Sequence, residues 1–177
     1  MRMADDELQE YRARWARLFP EVRHVDFDGF VVTNDYCPDC RYCCGPQKES
    51  EPFPMALLDR QISGRTPDDF YLLDSHTACL DQRGCKALGP AGCRLERMLR
   101  PVACALFPFV LVNLRLYLYL ICPASMFVDK AALLDMGGRV HVFLSSMDPA
   151  DRARISISRR PEDLQARYLD MGLPVLA

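Results

Sequence analysis

The chain has 177 residues, half of them hydrophobic and 26% of them charged, a balance typical of one compact domain with a real core. Its formal net charge of −2 excludes the global positive field of a general nucleic-acid-binding protein, so we expect no nucleic acid among its partners. Its nine cysteines need an explanation other than disulfides, because a core of this size folds without them and an odd number cannot pair completely.

The amino-terminal stretch, residues 1–7, is charged and lacks the apolar run of a secretory signal. We therefore expect a cytoplasmic protein, since clustered cysteines in a reducing compartment more often bind metal or act in catalysis than form disulfides. Residues 5–18 are predicted to form an amphipathic helix, because apolar side chains recur there at helical spacing. These side chains are Leu8, Tyr11, Trp15 and Leu18.

Residues 22–33 are predicted to be extended and to form a hairpin that turns at Asp28-Gly29. Short helices are then predicted at 54–63, from Thr66 onward and at 94–99. The last of these would begin next to Cys93, where the helix dipole favours a thiolate.

The most hydrophobic run, residues 105–121, contains a proline, an asparagine and an arginine. A charge near the middle of a membrane span is expensive, so we expect no membrane segment. The run is instead predicted to form two strands, 106–112 and 115–121, that turn near Asn113.

Helices are predicted in the last third of the chain at 126–136, 149–155 and 161–171. The first would end before Gly137-Gly138. Together these elements predict an α+β fold: a small single domain over residues 1–177, with short helices around a β-hairpin or small antiparallel sheet and a cysteine-rich metal-binding loop region. The metal-binding core would span about 36–124, and a helical part would follow at 125–177.

Four cysteines within eight residues form the chain's most informative motif, Cys37-Pro-Asp-Cys40-Arg-Tyr-Cys43-Cys44. A Cys-x-x-Cys turn places two sulfurs on one side of a tight loop, and here that spacing occurs twice in succession. The motif therefore predicts a metal centre. Adjacent side chains tend to point apart, so Cys44 either joins that centre, serves a second ion or is simply buried.

Five further cysteines follow, at Cys79, Cys85, Cys93, Cys104 and Cys122. Glycines adjoin three of the chain's cysteines, at Gly45, Gly84 and Gly92, and glycine lets a backbone pass close to a bulky group. Ordinary turns would use the same glycines. For Cys79, a buried structural role and ligation are equally good interpretations.

The order of these elements resembles the YkgJ-type cysteine-cluster family, whose members are described as zinc- or iron-chelating proteins. The shared pattern is a Cys-x-x-Cys-x-x-Cys-Cys motif followed by two cysteines, an Arg-Pro, a cysteine, a Phe-Pro and a later Cys-Pro. After the motif at 37–44, the matching elements here are Cys85, Cys93, Arg100-Pro101, Cys104, Phe107-Pro108 and Cys122-Pro123. Ala124 stands where the family pattern has glycine, and Cys79 is additional.

The resemblance implies two sets of metal ligands. The first set is Cys37, Cys40, Cys43 and Cys44, and the second is Cys85, Cys93, Cys104 and Cys122. Arg100 belongs to the family pattern and is expected to be cofactor-binding, by balancing an anionic centre. Eight sulfurs exceed what one zinc ion or one four-iron cluster needs, so either two centres form or some cysteines are not ligands.

Three functional hypotheses follow. The first is an iron–sulfur protein, with a four-iron cluster favoured, that acts in electron transfer or as the accessory centre of an enzyme. The flagellin lysine N-methylases within the family point the same way, although this chain shows no glycine-rich nucleotide loop. The second is a zinc-binding module with a structural metal and a protein partner. The third is a thiol-redox sensor that uses reactive cysteines. The first two hypotheses require metal ions as partners, whereas the thiol-redox sensor does not. The sequence does not decide whether the protein is an enzyme.

Overall fold

Helices and small antiparallel sheets are mixed along the chain in the computed structural model, which describes residues 2–49, 52–160, 164 and 167–176. The predicted α+β class is confirmed. In chain order the elements are α1 (Arg2–Leu18), β1 (Val25–Phe27), β2 (Val32–Asn34), α2 (Cys37–Cys40), β3 (Phe53–Ala56), α3 (Asp59–Gly64), β4 (Tyr71–Asp74), β5 (Thr77–Leu80), β6 (Leu88–Gly89), β7 (Gly92–Cys93), a 3-10 turn (Arg97–Leu99), α4 (Val102–Ala105), β8 (Phe109–Val112), β9 (Arg115–Tyr119), α5 (Pro123–Phe127), α6 (Lys130–Ser145), α7 (Pro149–Ile155) and β10 (Tyr168–Asp170).

The chain divides into two compact units. The terminal unit consists of Met1–Tyr36 and Leu106–Ala177, and the cysteine-rich unit is Cys37–Ala105. The single domain expected over residues 1–177 stays a prediction. Among the described residues, no helix combines the length and the apolarity that crossing a bilayer requires.

The terminal unit confirms several local predictions. The helix predicted at 5–18 is α1, and the indole of Trp15, buried on that helix, donates a hydrogen bond of 2.9 Å to the Ile121 carbonyl. Leu18 departs from the predicted apolar face, since 54% of it is exposed. The hairpin β1–β2 forms as expected, with the Asp28 carboxylate accepting from the amide of Val31 in the turn.

The hydrophobic run also folds as predicted. Strands β8 and β9 pair antiparallel and turn at Asn113 and Leu114, whose φ angles of 48° and 60° are those of a tight hairpin turn. Strand β10 pairs with the free edge of β9. Helix α7 occupies the predicted 149–155, capped by the Asp148 carboxylate.

Other helix predictions were wrong in the terminal unit. The helix predicted at 126–136 is two helices, α5 and α6, and Gly137-Gly138 lies inside α6 rather than at a helix end. A larger residue at position 137 would be too close to its neighbours, because a Cβ would lie 2.5 Å from the Met171 side chain and 3.2 Å from the ring of Phe109. Within the helix predicted at 161–171, Tyr168–Asp170 is a strand, and residues 161–163 and 165–166 lie outside the described residues.

Three helix predictions were wrong in the cysteine-rich unit. The segment 54–63 begins as strand β3, because Phe53–Ala56 pairs with the central strand β5, and becomes helical only at α3. At the helix start predicted at Thr66, the Asp69 carboxylate does accept from the Thr66 amide at 2.6 Å. No helix follows, because the chain makes one turn and enters β4. Over 94–99 there is only the 3-10 turn Arg97–Leu99.

The cysteine-rich unit has its own small hydrophobic core between the three-stranded sheet β3–β5–β4 and the segments that follow it. The buried members are Met55, Leu57, Phe70, Ala78, Leu80, Ala87 and Leu95. Cys85 and Ala103 pack against this core, so it supports the segments that carry cysteines.

Helix α6 offers a test of the terminal unit. The Asp129 carboxylate accepts hydrogen bonds from the amides of Ala131 and Ala132 at 2.8 and 3.3 Å. We expect Asp129→Ala to lower the free energy of unfolding by about 1 kcal/mol, because the cap is lost. Asp129→Ser keeps a capping oxygen and should stay close to the unchanged protein. Urea unfolding followed by circular dichroism measures both, and equal losses for the two variants would contradict the cap.

Candidate metal centre

The cysteine motif folds into two consecutive turns. Cys37–Cys40 forms α2, a single helical turn, and the Arg41 amide donates to the Cys37 carbonyl at 3.3 Å. Arg41 itself has a φ of 50°, and its carbonyl accepts from the Gly45 amide at 2.8 Å. The left-handed residue reverses the chain between Cys40 and Cys43, so all four motif cysteines lie on one short, tightly wound segment.

A backbone junction joins this loop to the segment that carries Cys85. The Cys85 amide donates to the Cys44 carbonyl at 2.8 Å. Gly84, with a φ of 76°, passes so close to the loop that a Cβ would lie 3.1 Å from backbone atoms of Gly45 and Pro46. Only glycine fits both the backbone conformation and the approach, so the junction depends on this residue.

The β6–β7 hairpin carries Cys93. Its register places Cys93 opposite Leu88, three residues after Cys85, and pairs Gly92, which has a φ of 103°, with Gly89. The Arg41 side chain donates to the Pro38 carbonyl at 2.9 Å and also to the carbonyl of Pro90 at the hairpin tip. The guanidinium thus ties the cysteine motif to the hairpin.

Cys104 is carried by a third segment. It lies in α4, where its amide donates to the Pro101 carbonyl at 2.9 Å. Its thiol donates to the Sδ atom of Met55, on β3, at 3.2 Å. Cys104 is therefore held from its own helical turn and from the sheet.

The charges of these thiols act on one another. The pKa of Cys37 is raised to about 12, first by burial and then by the thiols of Cys44, Cys40 and Cys93, while Arg100 acts in the opposite direction. Such mutual effects require that the groups lie near one another in space.

The same thiols also act on the cysteines of the other segments. Burial raises the pKa of Cys104 well above its ordinary value, with further contributions from Cys44, Cys85 and Cys93. The pKa of Cys85 is likewise raised by burial and then by Cys44 and Cys93. The structure therefore brings together seven of the predicted ligands, since the Cys43 thiol also lies 4.0 Å from that of Cys44. They are Cys37, Cys40, Cys43, Cys44, Cys85, Cys93 and Cys104.

Two of these thiols combine surface accessibility with strong desolvation. Cys37 and Cys104 are solvent-accessible residues, yet burial is the first cause of their raised pKa values. The two observations agree if the accessible surface lies at a concave site, where protein atoms crowd a thiol without covering it.

Cys44 has the opposite electrostatic environment. Its pKa is lowered to about 7, first by a hydrogen bond from the Cys43 thiol and also by the Arg100 guanidinium, against the effect of burial. The Sγ atoms of Cys43 and Cys44 lie 4.0 Å apart. Among the thiols for which the structure shows a shifted pKa, Cys44 is the one whose thiolate is favoured near neutral pH.

Two cysteines are placed differently. Cys79 is buried on β5, and the charged groups that act on its thiol are Asp81 and Arg83 rather than other cysteines. Cys122, the N-cap of α5, belongs to the terminal unit, so its place in a ligand set stays a prediction. The helix start expected to favour a Cys93 thiolate was wrong, because Cys93 lies in β7.

Within the part of the chain that the structure describes, no three His, Cys, Asp or Glu side chains converge closely enough to hold a metal ion. The donor chemistry nevertheless fits a soft metal, since the grouped side chains are thiols accompanied by one guanidinium. Each thiol turns about a single side-chain bond, so rotamer changes alone can bring neighbouring sulfurs closer.

Two residues of the site's surroundings have no signal in the sequence. Met55 contacts the Cys104 thiol from a strand, and Gln61 is fully buried in α3 next to the backbone of Arg100. Neither lies near a cysteine in sequence, and only the pairing of β3 with β5 and the packing of α3 place them here.

Comparison of the chain with protein-family models, curated proteins and solved structures finds no match.

Gly84 tests the backbone junction. We expect Gly84→Ala to lower the free energy of unfolding by about 2–4 kcal/mol, because left-handed strain and overpacking each cost about 1–3 kcal/mol. Gly92→Ala is a matched control, since its φ is also positive but a Cβ there meets open space. Urea unfolding followed by circular dichroism should show the smaller loss for Gly92→Ala. Equal losses would mean that close approach at Gly84 contributes nothing.

The Cys44 environment predicts a pH dependence. The thiolate is the form that alkylates, so in metal-free, reduced protein Cys44 should react with iodoacetamide at half its maximal rate near pH 7, while Cys37 stays protonated until far more alkaline pH. Mass spectrometry of alkylated peptides across a pH series measures each site. Cys43→Ala removes the hydrogen-bond donor and should move the Cys44 midpoint to higher pH. An unmoved midpoint would show that Cys43 is not the cause.

Proposed function

We propose that the cysteine-rich unit is a metal-binding module that holds an iron–sulfur cluster through cysteine thiolates, in a redox role or as the accessory centre of an enzyme. The supporting observation is the grouping of thiols from separate segments, the motif at 37–44, Cys85, the β6–β7 hairpin and α4, around the Arg100 guanidinium. The raised pKa values mean that ionising these grouped thiols is unfavourable in the polypeptide alone, and a cation among them would reverse that effect.

The donor set supports iron–sulfur over other centres. Four-iron clusters are held by four thiolates, and the group offers seven sulfurs, with no histidine among the groups that act on their pKa values. An all-sulfur zinc site is the alternative, since four thiolates also satisfy tetrahedral zinc. The resemblance to zinc- or iron-chelating cysteine-cluster proteins fits either metal.

Each side chain has a distinct part in this proposal. Cys44, whose thiolate forms at the lowest pH, is the first ligand available, and Cys85, Cys93 and Cys104 are the thiols that act on one another around it. Arg100 offsets the negative charge of the thiolates that it faces. A bound cluster would supply one-electron transfer, and its potential would depend on such nearby charges. We also propose a cytoplasmic location, where a reducing environment keeps these thiols available.

The first experiment is the determination of iron, zinc and acid-labile sulfide per chain, on protein purified without oxygen and without a metal-binding tag. Iron with matching sulfide supports the iron–sulfur proposal and justifies a search for an electron-transfer partner. Zinc without sulfide replaces it with the zinc-binding module. Folded, metal-free protein with reversibly oxidised thiols would leave only the thiol-redox hypothesis.

Ligand variants locate the site. We expect Cys104→Ser to lower bound metal strongly, because Cys104 lies within the group of interacting thiols, whereas Cys79→Ser should keep the full content, because its thiol interacts with Asp81 and Arg83 instead. Metal per folded chain, measured by elemental analysis after gel filtration, compares the two. Equal metal loss in both variants, or full metal in Cys104→Ser, would contradict the proposed ligand group.

A further inference from the structure

Gln61 is a buried polar residue on an element without cysteines. It lies in α3, and its exposed fraction is 0%. A fully buried amide is costly unless its donors and acceptor are all used, so its hydrogen bonds show what it does.

The Gln61 amide connects two segments of the cysteine-rich unit. Its Oε1 atom accepts from the Leu58 amide at 2.8 Å, which caps the start of α3. Its Nε2 atom donates to the Arg100 carbonyl at 3.2 Å and, more weakly, to the Met98 carbonyl at 3.4 Å. One side chain thus fixes the backbone at 98–100 to α3.

That backbone carries the groups of the metal centre. Arg100 faces the Cys37 and Cys44 thiols with its guanidinium, and its carbonyl precedes Pro101, which begins the turn that holds Cys104. A shift of this carbonyl would move the guanidinium and the Cys104 thiol together.

A second contact holds the same segment. Gly64, the last residue of α3, approaches Leu99 so closely that a Cβ would lie 2.6 Å from the Leu99 side chain. Helix α3 therefore packs directly on the 3-10 turn Arg97–Leu99, and Gln61 adds directional hydrogen bonds to that packing.

We propose that Gln61 is a positioning residue of the metal centre, which sets the placement of Arg100 and Cys104 without touching the metal. This inference rests on the proposed function. Groups that orient metal ligands from outside typically change metal affinity by about 10–100-fold when they are replaced.

The test is a titration of metal-free, reduced full-length protein with Co²⁺ under anaerobic conditions, since thiolate-to-cobalt absorption reports on thiolate ligation whichever metal is native. Gln61→Met keeps the side-chain size and removes all three hydrogen bonds. We expect it to bind Co²⁺ about 10-fold more weakly or worse, with altered absorption per bound ion. Leu144→Ala is the control, because it removes a fully buried side chain from α6 in the terminal unit, which carries none of the grouped cysteines.

The outcomes separate positioning from stability. A merely structural role would lower the urea midpoint of Gln61→Met, as Leu144→Ala does, yet leave affinity and absorption per bound Co²⁺ unchanged, and that result would overturn the inference. If Gln61→Met does not fold, Gln61→Asn decides in the same way, since its neutral amide is one methylene too short to reach both the Leu58 amide and the Arg100 carbonyl. If the unchanged protein shows no thiolate-to-cobalt absorption, the proposed function fails and the inference falls with it.

Discussion

The hydrogen bond from the Cys85 amide to the Cys44 carbonyl is the constraint on which the cysteine-rich unit depends. It attaches a loop with four cysteines to the segment that carries Cys85 and Cys93, and it forms because Gly84 lets the two backbones touch. The hairpin register then pairs Cys93 with Leu88, three residues after Cys85. The Arg41 guanidinium adds a second connection between the motif and this hairpin.

Under the proposed function, a cation would offset the electrostatic cost of ionising the grouped thiols. Desolvation and neighbouring thiols raise the pKa values of Cys37, Cys85 and Cys104, so negative charge is disfavoured in the polypeptide alone. Arg100 supplies one compensating charge, and a metal supplies more. Under the proposed function, uptake of metal displaces thiol protons, so affinity should rise with pH until competing reactions intervene. Because its pKa is lowered, Cys44 would lose its thiol proton near neutral pH without a bound metal.

Local patterns in the sequence predicted the elements whose conformation depends on residues close together in the chain. The period of apolar residues located α1, and the turn residues located the β1–β2 and β8–β9 hairpins. Predictions failed where tertiary contacts override local preference. Phe53–Ala56 is a strand because β5 pairs with it, and Gly137 lies inside a helix because Phe109 and Met171 fill the space that a side chain would need. Spacing predicted which cysteines would be grouped, but not that Cys79 would be held apart by its place on β5.

The surroundings of the site could not be predicted for a physical reason. Metal motifs constrain donor atoms that are close in sequence, whereas the groups that hold those donors come from whichever elements the fold packs beside them. Here they come from β3 through Met55 and from α3 through Gln61, neither of which carries a cysteine. A buried glutamine amid leucines is unremarkable in a sequence, because only the positions of the Leu58 amide and the Arg100 carbonyl show that its amide is fully used. The motif therefore defines sulfur atoms that a metal could bind. The packing of α3 on the 98–100 backbone places two further groups, the Arg100 guanidinium and the Cys104 thiol.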